Sequence, residues 1–338
     1  MNILLIQLRR IGDLILTTPT IAALREKFPE AHITLVVSAG TRELLPAIRG
    51  VDDTIVARGK LTDAASFFGV ARRKFTYCFD FTRNDRSGFV ALLSGARQRV
   101  TADYPRRRGK LQSIAYNVLV PLDVGRMHTV DYHLGLVEAI GIRDASPHVQ
   151  LTLPPSAREQ AEHVLSTAGL RREFIVLHPG SARAEKFWNA ERWAEIIAWL
   201  DERGVACALS GGKSALEQAH IAEIKRHTGS AIVDFSGRVD LLTLAAVIER
   251  AQLLVTVDSA PVHLAAATKT PQVALFGPTN PFHWHPRSSP AIILQGGTAY
   301  PPAEFSPKAK PAAMSLISTG GVIDAMEALL ATPRGATL

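Results

Sequence analysis

The apolar run Leu253–Val257, which stops abruptly at a polar turn, constrains the fold more than any other stretch of this 338-residue chain. Such a run is typical of a strand buried on both faces of a parallel sheet. The turn begins with Asp258 and Ser259, and a helix begins there because Ser259 can act as its N-cap and Pro261 fits its first turn. A second buried strand is predicted at residues 272–276, directly before the turn Gly277-Pro278-Thr279.

Two consecutive strands therefore end in polar loops, and one of these loops opens a helix. Open α/β sheets bind ligands beyond the carboxyl ends of their strands, and the N–H groups of a helix N-terminus attract phosphate. We therefore expect an anionic, nucleotide-linked ligand near these two loops.

Strands alternate with helices along the whole chain, which predicts α/β domains with doubly wound parallel sheets. The alternation pauses at residues 148–156, where Pro147, Pro154 and Pro155 mark a linker. We predict a first domain at residues 1–153, a second at 154–318 and a final helix within 319–338. The predicted strands cover residues 2–8, 32–38, 54–57, 77–82, 98–102, 174–177, 205–209, 232–235, 253–257, 272–276 and 291–294. The helices that matter below are predicted at 14–27, 41–48, 111–118 and 130–140.

The composition, 47% hydrophobic and 20% charged residues, is that of a globular protein. The apolar start, Ile3–Ile6, is too short for a signal sequence or a membrane span, so a cytoplasmic location is expected. Cys78 and Cys207 each lie within a predicted strand and are interpreted as small core residues rather than a disulfide framework.

The excess positive charge lies in the first half of the chain. Residues 1–150 contain 21 Lys and Arg against 14 Asp and Glu, whereas residues 151–338 contain 17 of each. Part of the excess is a basic cluster formed by Arg97, Arg99, Arg106, Arg107, Arg108 and Lys110. Such a cluster favours phosphorylated partners, namely nucleic acid, an anionic membrane surface or a phosphorylated glycolipid, although a solvated basic loop is the simpler alternative. The sequence shows no nucleic-acid-binding motif.

Several common motifs are missing or incomplete. The first strand is not followed by G-x-G-x-x-G, and Gly212-Lys213-Ser214 lacks the first glycine of a P-loop, because Cys207 occupies that position. No D-x-D pair is present, which argues against a metal-bridged nucleotide-sugar site. His283 and His285 were considered as a metal-binding pair, and we predict no metal site there.

Asp13 follows the first predicted strand and precedes the first predicted helix, which places its carboxylate at the edge of the sheet where ligands bind. The alternative is a plain helix N-cap. In the second domain, His178-Pro179-Gly180-Ser181 also follows a strand and leads to Lys186. Small residues that let backbone N–H groups approach a ligand, with a cation nearby, suit a diphosphate. Taken alone, Lys186 is equally well explained as a surface lysine.

Glu217 lies early in the helix after Ser210-Gly211-Gly212. Its carboxylate can accept hydrogen bonds from ribose hydroxyls. It is equally well explained as a favourable acid in the first turn of a helix.

Taken together, these positions resemble glycosyltransferase family 9, the lipopolysaccharide heptosyltransferases of Gram-negative bacteria, and most of all its heptosyltransferase III branch. The matching segments are I-L-L-I-Q-L-R-R-I-G-D-L-I-L-T-T-P near the start, H-P-G-S and K-F-W-N in the middle, and V-D-S-A-P-V-H-L-A-A-A with P-Q-V-A-L-F-G-P-T later on. The likeness spans nearly the whole chain. One departure is Asn280, where G-P-T-D is common in the family.

The resemblance implies the GT-B architecture, in which two doubly wound Rossmann-like domains face each other across a cleft. The N-terminal domain would bind the acceptor, the C-terminal domain the nucleotide-sugar donor, and the last helix, within residues 319–338, would cross back toward the first domain. The implied reaction is metal-independent, inverting transfer of a heptose from the co-substrate ADP-heptose to the phosphorylated lipopolysaccharide inner core. No cofactor and no nucleic acid take part, and the enzyme would touch the inner membrane from the cytoplasm.

By motif match, the resemblance also implies roles for individual residues, with Asp13 as the general base. The donor-binding residues would be Gly180, Ser181, Lys186, Glu217, Val239, Asp258, Ser259, Ala260 and His263. The acceptor-binding residues would be Arg9, Arg10, Arg106, Arg107 and Arg108.

Three other interpretations stay open at this point. The same fold can use another nucleotide sugar or another glycan acceptor. It can also serve as a non-catalytic binding module, which would have no need of a base such as Asp13. The third is nucleic-acid binding through the basic cluster, which would weaken steeply with salt.

Overall fold

The computed structural model describes residues 1–58, 63–103, 114–170, 173–297 and 304–331. The chain divides into two compact units, Met1–Thr152 and Leu153–Leu338. Each unit contains one six-stranded sheet, and the neighbouring strands pair in parallel. The prediction of two doubly wound α/β domains is confirmed.

The sheet of the first unit has the strand order β3-β2-β1-β4-β5-β6. Its strands are β1 Asn2–Gln7, β2 His32–Ser38, β3 Asp53–Ala57, β4 Tyr77–Asp80, β5 Gln98–Ala102 and β6 Val118–Val120. Residues Ile3–Ile6 are completely buried because helices cover both faces of a parallel sheet. The order reverses between β1 and β4, so the loops after these two strands flank the topological switch point, where such sheets bind ligands.

The sheet of the second unit repeats this plan with the order β12-β11-β10-β7-β8-β9. Its strands are β7 Phe174–His178, β8 Ala206–Leu209, β9 Val233–Asp234, β10 Leu253–Val257, β11 Gln272–Phe276 and β12 Ala291–Gln295. Here the switch point lies between β7 and β10. The loops after His178 and after Val257, both predicted to bind a ligand, lie at that point. The loop after Phe276, for which a ligand was also predicted, lies one strand further away.

Eleven α-helices are described. They are α1 Ile11–Ile15, α2 Thr18–Lys27, α3 Asp63–Arg72, α4 Asp85–Leu93, α5 Thr129–Val137, α6 Pro155–Thr167, α7 Ala190–Glu202, α8 Ala215–His227, α9 Leu241–Arg250, α10 Ala260–Thr268 and α11 Thr319–Leu330.

The helix predicted at residues 14–27 is wrong in its start and in its continuity. Helix α1 begins at Ile11 and ends at Ile15, and a separate helix, α2, begins at Thr18. The cause is Pro19, which has no N–H to donate to the carbonyl of Ile15. The Thr18 hydroxyl donates to that carbonyl instead, at 2.7 Å. Asp13 therefore lies inside the first turn of α1 rather than before a helix.

Two further predicted helices agree with the structure only in part. Residues Ala39–Ala47 form a 3₁₀ helix instead of an α-helix, in keeping with Pro46 inside it, which removes a backbone donor. The helix predicted at 111–118 is helical at residues 114 and 115, but it ends before the edge strand β6, which covers residues 118–120. Residues 111–113 lie outside the described residues. A short apolar run such as Val118–Val120 fits a strand as well as a helix, and periodicity alone does not separate them.

Cys78 in β4 and Cys207 in β8 are free thiols that lie in strands, as predicted. Burial raises the pKa of the Cys78 thiol and raises that of Cys207 to about 12, so both stay protonated at neutral pH. Over the ranges that the structure describes, no helix combines the length and apolar character needed to cross a membrane.

The last helix packs on the second sheet. Helix α11 contacts α7 and the strands β10, β11 and β12. The segment before it is held by hydrogen bonds from Ala312 N–H to the Gly277 carbonyl, at 2.9 Å, and from Trp188 Nε1–H to the Ile317 carbonyl, at 3.0 Å. The return of this helix to the first domain stays a prediction.

We expect Gly296→Ala to destabilise the fold, because a Cβ at this position would collide with the backbone carbonyl of Ala313. Overpacking of this kind costs about 1–3 kcal/mol, which urea denaturation followed by circular dichroism can measure. Gly320→Ala is the matched control, since a Cβ there meets nothing within 4 Å and alanine favours the helix α11. Equal stabilities of the two variants would contradict the close packing at Gly296.

Candidate active site

The loops at the switch point of the second unit bring together most of the predicted donor-binding residues. Lys186 follows β7 in a short 3₁₀ helix, and Asp258 follows β10. The Lys186 Nζ atom lies 2.5 Å from Asp258 Oδ2 and donates to the Asp258 carbonyl at 3.1 Å. The side chains are only 10% and 9% exposed. The surface-lysine interpretation of Lys186 is therefore wrong.

His263 lies on helix α10, directly beyond the Asp258 loop, and is buried. Burial lowers the pKa of its imidazole to about 4, while the Asp258 charge acts in the opposite direction and the Lys186 charge lowers the pKa further. The ring is thus neutral at pH 7. Its Nδ1 atom is buried and has no hydrogen-bond partner within the described ranges. His263 can therefore offer a hydrogen bond to a ligand, but not a full positive charge.

Glu217 lies in the first turn of α8, where Ser214 is the N-cap. Its carboxylate accepts hydrogen bonds from Gly212 N–H, at 3.2 Å, and from the Ser214 hydroxyl, at 2.8 Å. A Cβ at Gly180 or at Gly212 would collide with its carboxylate oxygens. Both loops therefore need glycine to let this side chain lie between them.

A contact between His178 and Ser210 connects the loop after β7 to the loop after β8. Sequence reasoning gave neither residue a role. His178 Nδ1 lies 2.9 Å from Ser210 Oγ, and both residues are buried at the ends of their strands. Burial lowers the pKa of His178 to about 4, so this contact joins two neutral groups. Their positions at the ends of the adjacent strands β7 and β8 were the signal that could have identified them.

The small residues Ser181, Ser259 and Ala260 lie directly after β7 and β10. The prediction that the Ser259 side chain caps helix α10 needs correction. Ser181 is buried, and its hydroxyl accepts the Arg183 N–H at 3.3 Å. Ser259 is the N-cap residue of α10, next to Ala260, but its side chain makes no capping hydrogen bond. It donates instead to the Val257 carbonyl at 3.2 Å.

Val239 lies at a different place in the second unit. It precedes Asp240, the N-cap of α9, and lines a cavity of about 330 Å³ together with Pro154, Ala157 and Arg238. None of the other donor-binding candidates lines this cavity.

In the first unit, Asp13 is the third residue of α1, and its Oδ2 accepts the Arg10 N–H at 3.3 Å. The predicted alternative, in which Asp13 is the N-cap, is wrong because Arg10 holds that position. Burial raises the pKa of the Asp13 carboxyl above its ordinary value, although the Arg9 and Arg10 charges and the Arg10 N–H lower it. A carboxylate with a raised pKa is a stronger base, as proton abstraction requires.

A buried polar network supports the backbone of Asp13. The Thr17 hydroxyl donates to the Asp13 carbonyl at 2.8 Å and accepts a hydrogen bond from Gln7 Nε2 at 3.0 Å. His133 Nδ1 lies 3.1 Å from the Leu16 carbonyl and 3.3 Å from Thr17 Oγ1. Burial lowers the pKa of His133 to about 3, so it acts as a neutral donor. Sequence reasoning missed this network, which only the packing of α5 on α2 brings together.

The predicted acceptor-binding residues divide into two groups. Arg9 and Arg10 are exposed in the loop between β1 and α1. The Arg9 guanidinium donates to the Thr82 carbonyl from Nε at 3.3 Å and from Nη2 at 3.0 Å. Arg106, Arg107 and Arg108 lie outside the described residues.

We expect Lys186→Met to destabilise the second unit strongly, because it leaves the buried Asp258 carboxylate without its partner. Breaking a buried pair in this way costs about 3–5 kcal/mol, which urea denaturation at pH 7 can measure. Lys225→Met is the matched control, since Lys225 pairs with Asp234 at 2.8 Å while 43% of its own side chain is exposed. That loss should stay below about 1 kcal/mol. Similar small losses in both variants would show that the Lys186–Asp258 pair contributes little.

A protein-family model and a known protein that match this chain both belong to the heptosyltransferases. The family model described as "Glycosyltransferase family 9 (heptosyltransferase)" matches residues 68–310. A lipopolysaccharide heptosyltransferase 3 of Escherichia coli is 28% identical over 295 residues, which are 85% of this chain and 86% of that protein.

Solved structures are similar in fold to nearly the whole chain. The glycosyl transferase family 9 protein of Veillonella parvula has a TM-score of 0.83 and 25% identity, covering 97% of both chains. The ADP-heptose lps heptosyltransferase II of E. coli has a TM-score of 0.78 and 22% identity, covering 98% of both chains, and at that identity it bears on the fold alone. The predicted α/β fold class, GT-B, is confirmed. The chain therefore belongs to glycosyltransferase family 9, the heptosyltransferase family.

Proposed function

We propose that this chain is an inverting heptosyltransferase that moves a heptose from ADP-heptose to the phosphorylated lipopolysaccharide inner core, without a metal ion. The names of its relatives support the donor and the acceptor, since they are lipopolysaccharide heptosyltransferases and one of them is named for ADP-heptose. The observation that carries the proposal is Asp13, a partly buried carboxyl group with a raised pKa at the ligand-binding edge of its sheet.

Asp13 would act as the general base. In this mechanism its carboxylate takes the proton of an acceptor hydroxyl while the hydroxyl oxygen bonds to the anomeric carbon of the heptose. The bond from that carbon to the diphosphate oxygen breaks, and ADP leaves from the opposite face. Attack opposite the leaving group inverts the anomeric configuration.

Lys186 would stabilise the charge that develops on the leaving diphosphate. An ammonium group has three N–H donors, and Asp258 accepts two of them through its carbonyl and Oδ2 atoms. The third can bond a phosphate oxygen without breaking the pair. Asp258 thus orients Lys186 before the donor arrives, which is the preorganisation that makes electrostatic stabilisation effective.

The other donor-binding residues would surround the nucleotide and the sugar. Glu217 would accept hydrogen bonds from the ribose hydroxyls, and Asp258 from the sugar. His263 would donate to the diphosphate, while Gly180, Ser181, Ser259 and Ala260 would let it approach the backbone. Val239 stays a predicted donor-binding residue, although the cavity that it lines contains none of the other candidates.

The basic first unit would bind the acceptor from the cytoplasmic face of the inner membrane. Arg9 and Arg10 lie next to Asp13, and their guanidinium groups suit phosphate on the core. The basic cluster that includes Arg106, Arg107 and Arg108 would meet further phosphates. Peripheral membrane contact and the cytoplasmic location belong to this proposal.

Mass spectrometry of the product tests the donor and the acceptor directly. We expect the purified protein to add one heptose from ADP-heptose to a lipopolysaccharide core truncated just before its own step, in buffer containing a metal chelator. Thermal stabilisation by ADP, but not by UDP or GDP, is the companion result. Transfer from another nucleotide sugar would replace the proposed donor, and absence of all transfer together with ADP binding would favour a non-catalytic binding module.

Asp13→Asn should lower turnover at least about 10²-fold, because general-base catalysis contributes that much, while the affinity for ADP is kept. The raised pKa of Asp13 also predicts that, as the pH is lowered, the wild-type rate begins to fall at a higher pH than it would with an ordinary aspartate.

The raised pKa of Asp13 also affects how the stability of the fold depends on pH. Folding favours protonated Asp13, so its contribution is present at low pH and is lost as pH rises through the folded-state pKa.

Removing the charge should therefore make the Asp13→Asn protein more stable than the wild type at neutral pH, even as its activity falls. Glu26→Gln, at an exposed site in α2 of the same unit, is the matched control and should change neither property. Near-normal turnover of Asp13→Asn would remove Asp13 from the base role.

A further inference from the structure

Two rings stack next to the loop that carries Lys186. Phe187 directly follows Lys186 at the end of the short 3₁₀ helix, and His220 lies in α8. Their ring centroids are 4.3 Å apart, and the ring planes differ by only 6°. Rings that stack in this way attract each other beyond the effect of burial alone. The contact therefore joins the end of the loop after β7 to helix α8.

The stack, rather than a hydrogen bond at Nε2, holds the His220 ring. Its Nε2 atom is buried and has no hydrogen-bond partner among the residues that the structure describes. Burial lowers the pKa of this imidazole, although the charges of Glu223 and Glu191 raise it. The ring is therefore uncharged at pH 7. A buried nitrogen without a partner is unfavourable, and the close contact with Phe187 is an interaction that offsets it.

Helix α8 contacts the same loop at a second point. Glu217 and His220 are three positions apart in α8, so their side chains lie on one face of the helix. The Glu217 carboxylate lies against Gly180, where a Cβ would collide with it. Gly180 is near the start of the loop after β7, and Phe187 is near its end. One face of α8 therefore holds both ends of this loop.

The backbone after Lys186 is fixed from two sides. Phe187 has an extended conformation, with φ of −70° and ψ of 132°, and in an extended segment neighbouring side chains turn away from each other. Phe187 packs on His220, whereas the next residue, Trp188, is completely buried and packs on Trp193 at 5.2 Å between ring centroids. Removing the stack would release one of these two sides.

We propose that the Phe187–His220 stack is a positioning contact of the donor site, which fixes the location of Lys186 relative to Glu217. The inference rests on the proposed function, in which Lys186 meets the diphosphate and Glu217 the ribose. These two parts of a nucleotide are covalently joined, so both side chains can bind it only at one separation. Holding that separation before the ligand arrives is what makes such contacts effective. No role was predicted for either ring from the sequence.

The competing explanation is that the two rings only stabilise the fold. His220→Ala removes the stack, while His220→Phe keeps an aromatic partner for Phe187 and removes the unpaired nitrogen. His227→Ala is the matched control, because it makes the same substitution in the last turn of the same helix. There His227 faces Glu191 and Glu223 in partly exposed pairs, which contribute little.

The first experiment compares two ligands and needs no transfer reaction. The affinity of the full-length protein for ADP is measured by calorimetry, and that for adenosine by displacement of ADP. His220→Ala should weaken ADP binding about tenfold, as loss of one charge-assisted hydrogen bond does, because Lys186 no longer meets the diphosphate. Adenosine, which lacks the diphosphate, should bind as it does to the wild type. His220→Phe and His227→Ala should bind both ligands normally.

Three results would each overturn the inference: unchanged ADP affinity in His220→Ala, an equal loss of affinity for ADP and adenosine, or a loss in His220→Phe as large as that in His220→Ala. Phe187→Leu removes the stack from the other side and decides the question should His220→Ala fail to fold. It should reproduce the selective loss, and the double variant should lose no more than either single variant, because all remove the same contact. Additive losses would also contradict the proposed role.

The second experiment uses transfer kinetics. In His220→Ala the kcat should fall about tenfold, because Lys186 also stabilises the leaving diphosphate, while the acceptor KM stays unchanged. A rise in acceptor KM as large as the fall in kcat would assign the rings a general structural role and overturn the inference.

The two proposals fail differently. If the wild type binds ADP but transfers no heptose, and His220→Ala still loses ADP affinity selectively, the proposed reaction is wrong and the positioning contact stands. Failure of the wild type to bind ADP would overturn both.

Discussion

Each sheet of this protein can carry polar chemistry only at the ends of its strands, and the site depends on that constraint. Ile3–Ile6 in β1 and Leu253–Val257 in β10 are completely buried, so a charged side chain along either strand would lie in a dry interior. The loops directly beyond them are different, because they can be polar while one side rests on the core. Asp13 and Asp258 both follow such strands.

The Lys186–Asp258 pair shows how a charge is kept in such a place. Removing two ions from water is costly, and only close contact with further hydrogen bonds offsets that cost. Here Lys186 donates to both the side chain and the carbonyl of Asp258. His263, held neutral by its surroundings, adds no further charge to the pair. The Lys186–Asp258 pair is thus buried, and its hydrogen bonds orient the ammonium group.

Much of this could be predicted from the sequence, because buried parallel strands have an unmistakable apolar pattern and their ends lie at one edge. The loops at Gly180, Glu217 and Asp258 each follow such a strand, so their place at one edge of the sheet could be predicted. The split of the first helix at Pro19 and the edge strand β6 could not be predicted, because both depend on local hydrogen bonds and neighbours that periodicity does not encode.

The hydrogen bond from Trp188 to the Ile317 carbonyl has a consequence for how the chain matures during synthesis. Trp188 lies two residues after Lys186, and its partner is 129 positions further along. Domains generally fold as units as they leave the ribosome, N-terminal first. The first unit can therefore complete its sheet early, whereas the loop that carries Lys186 gains this support only after Ile317 has been synthesised. This loop therefore reaches its final packing much later in synthesis than the strand that precedes it.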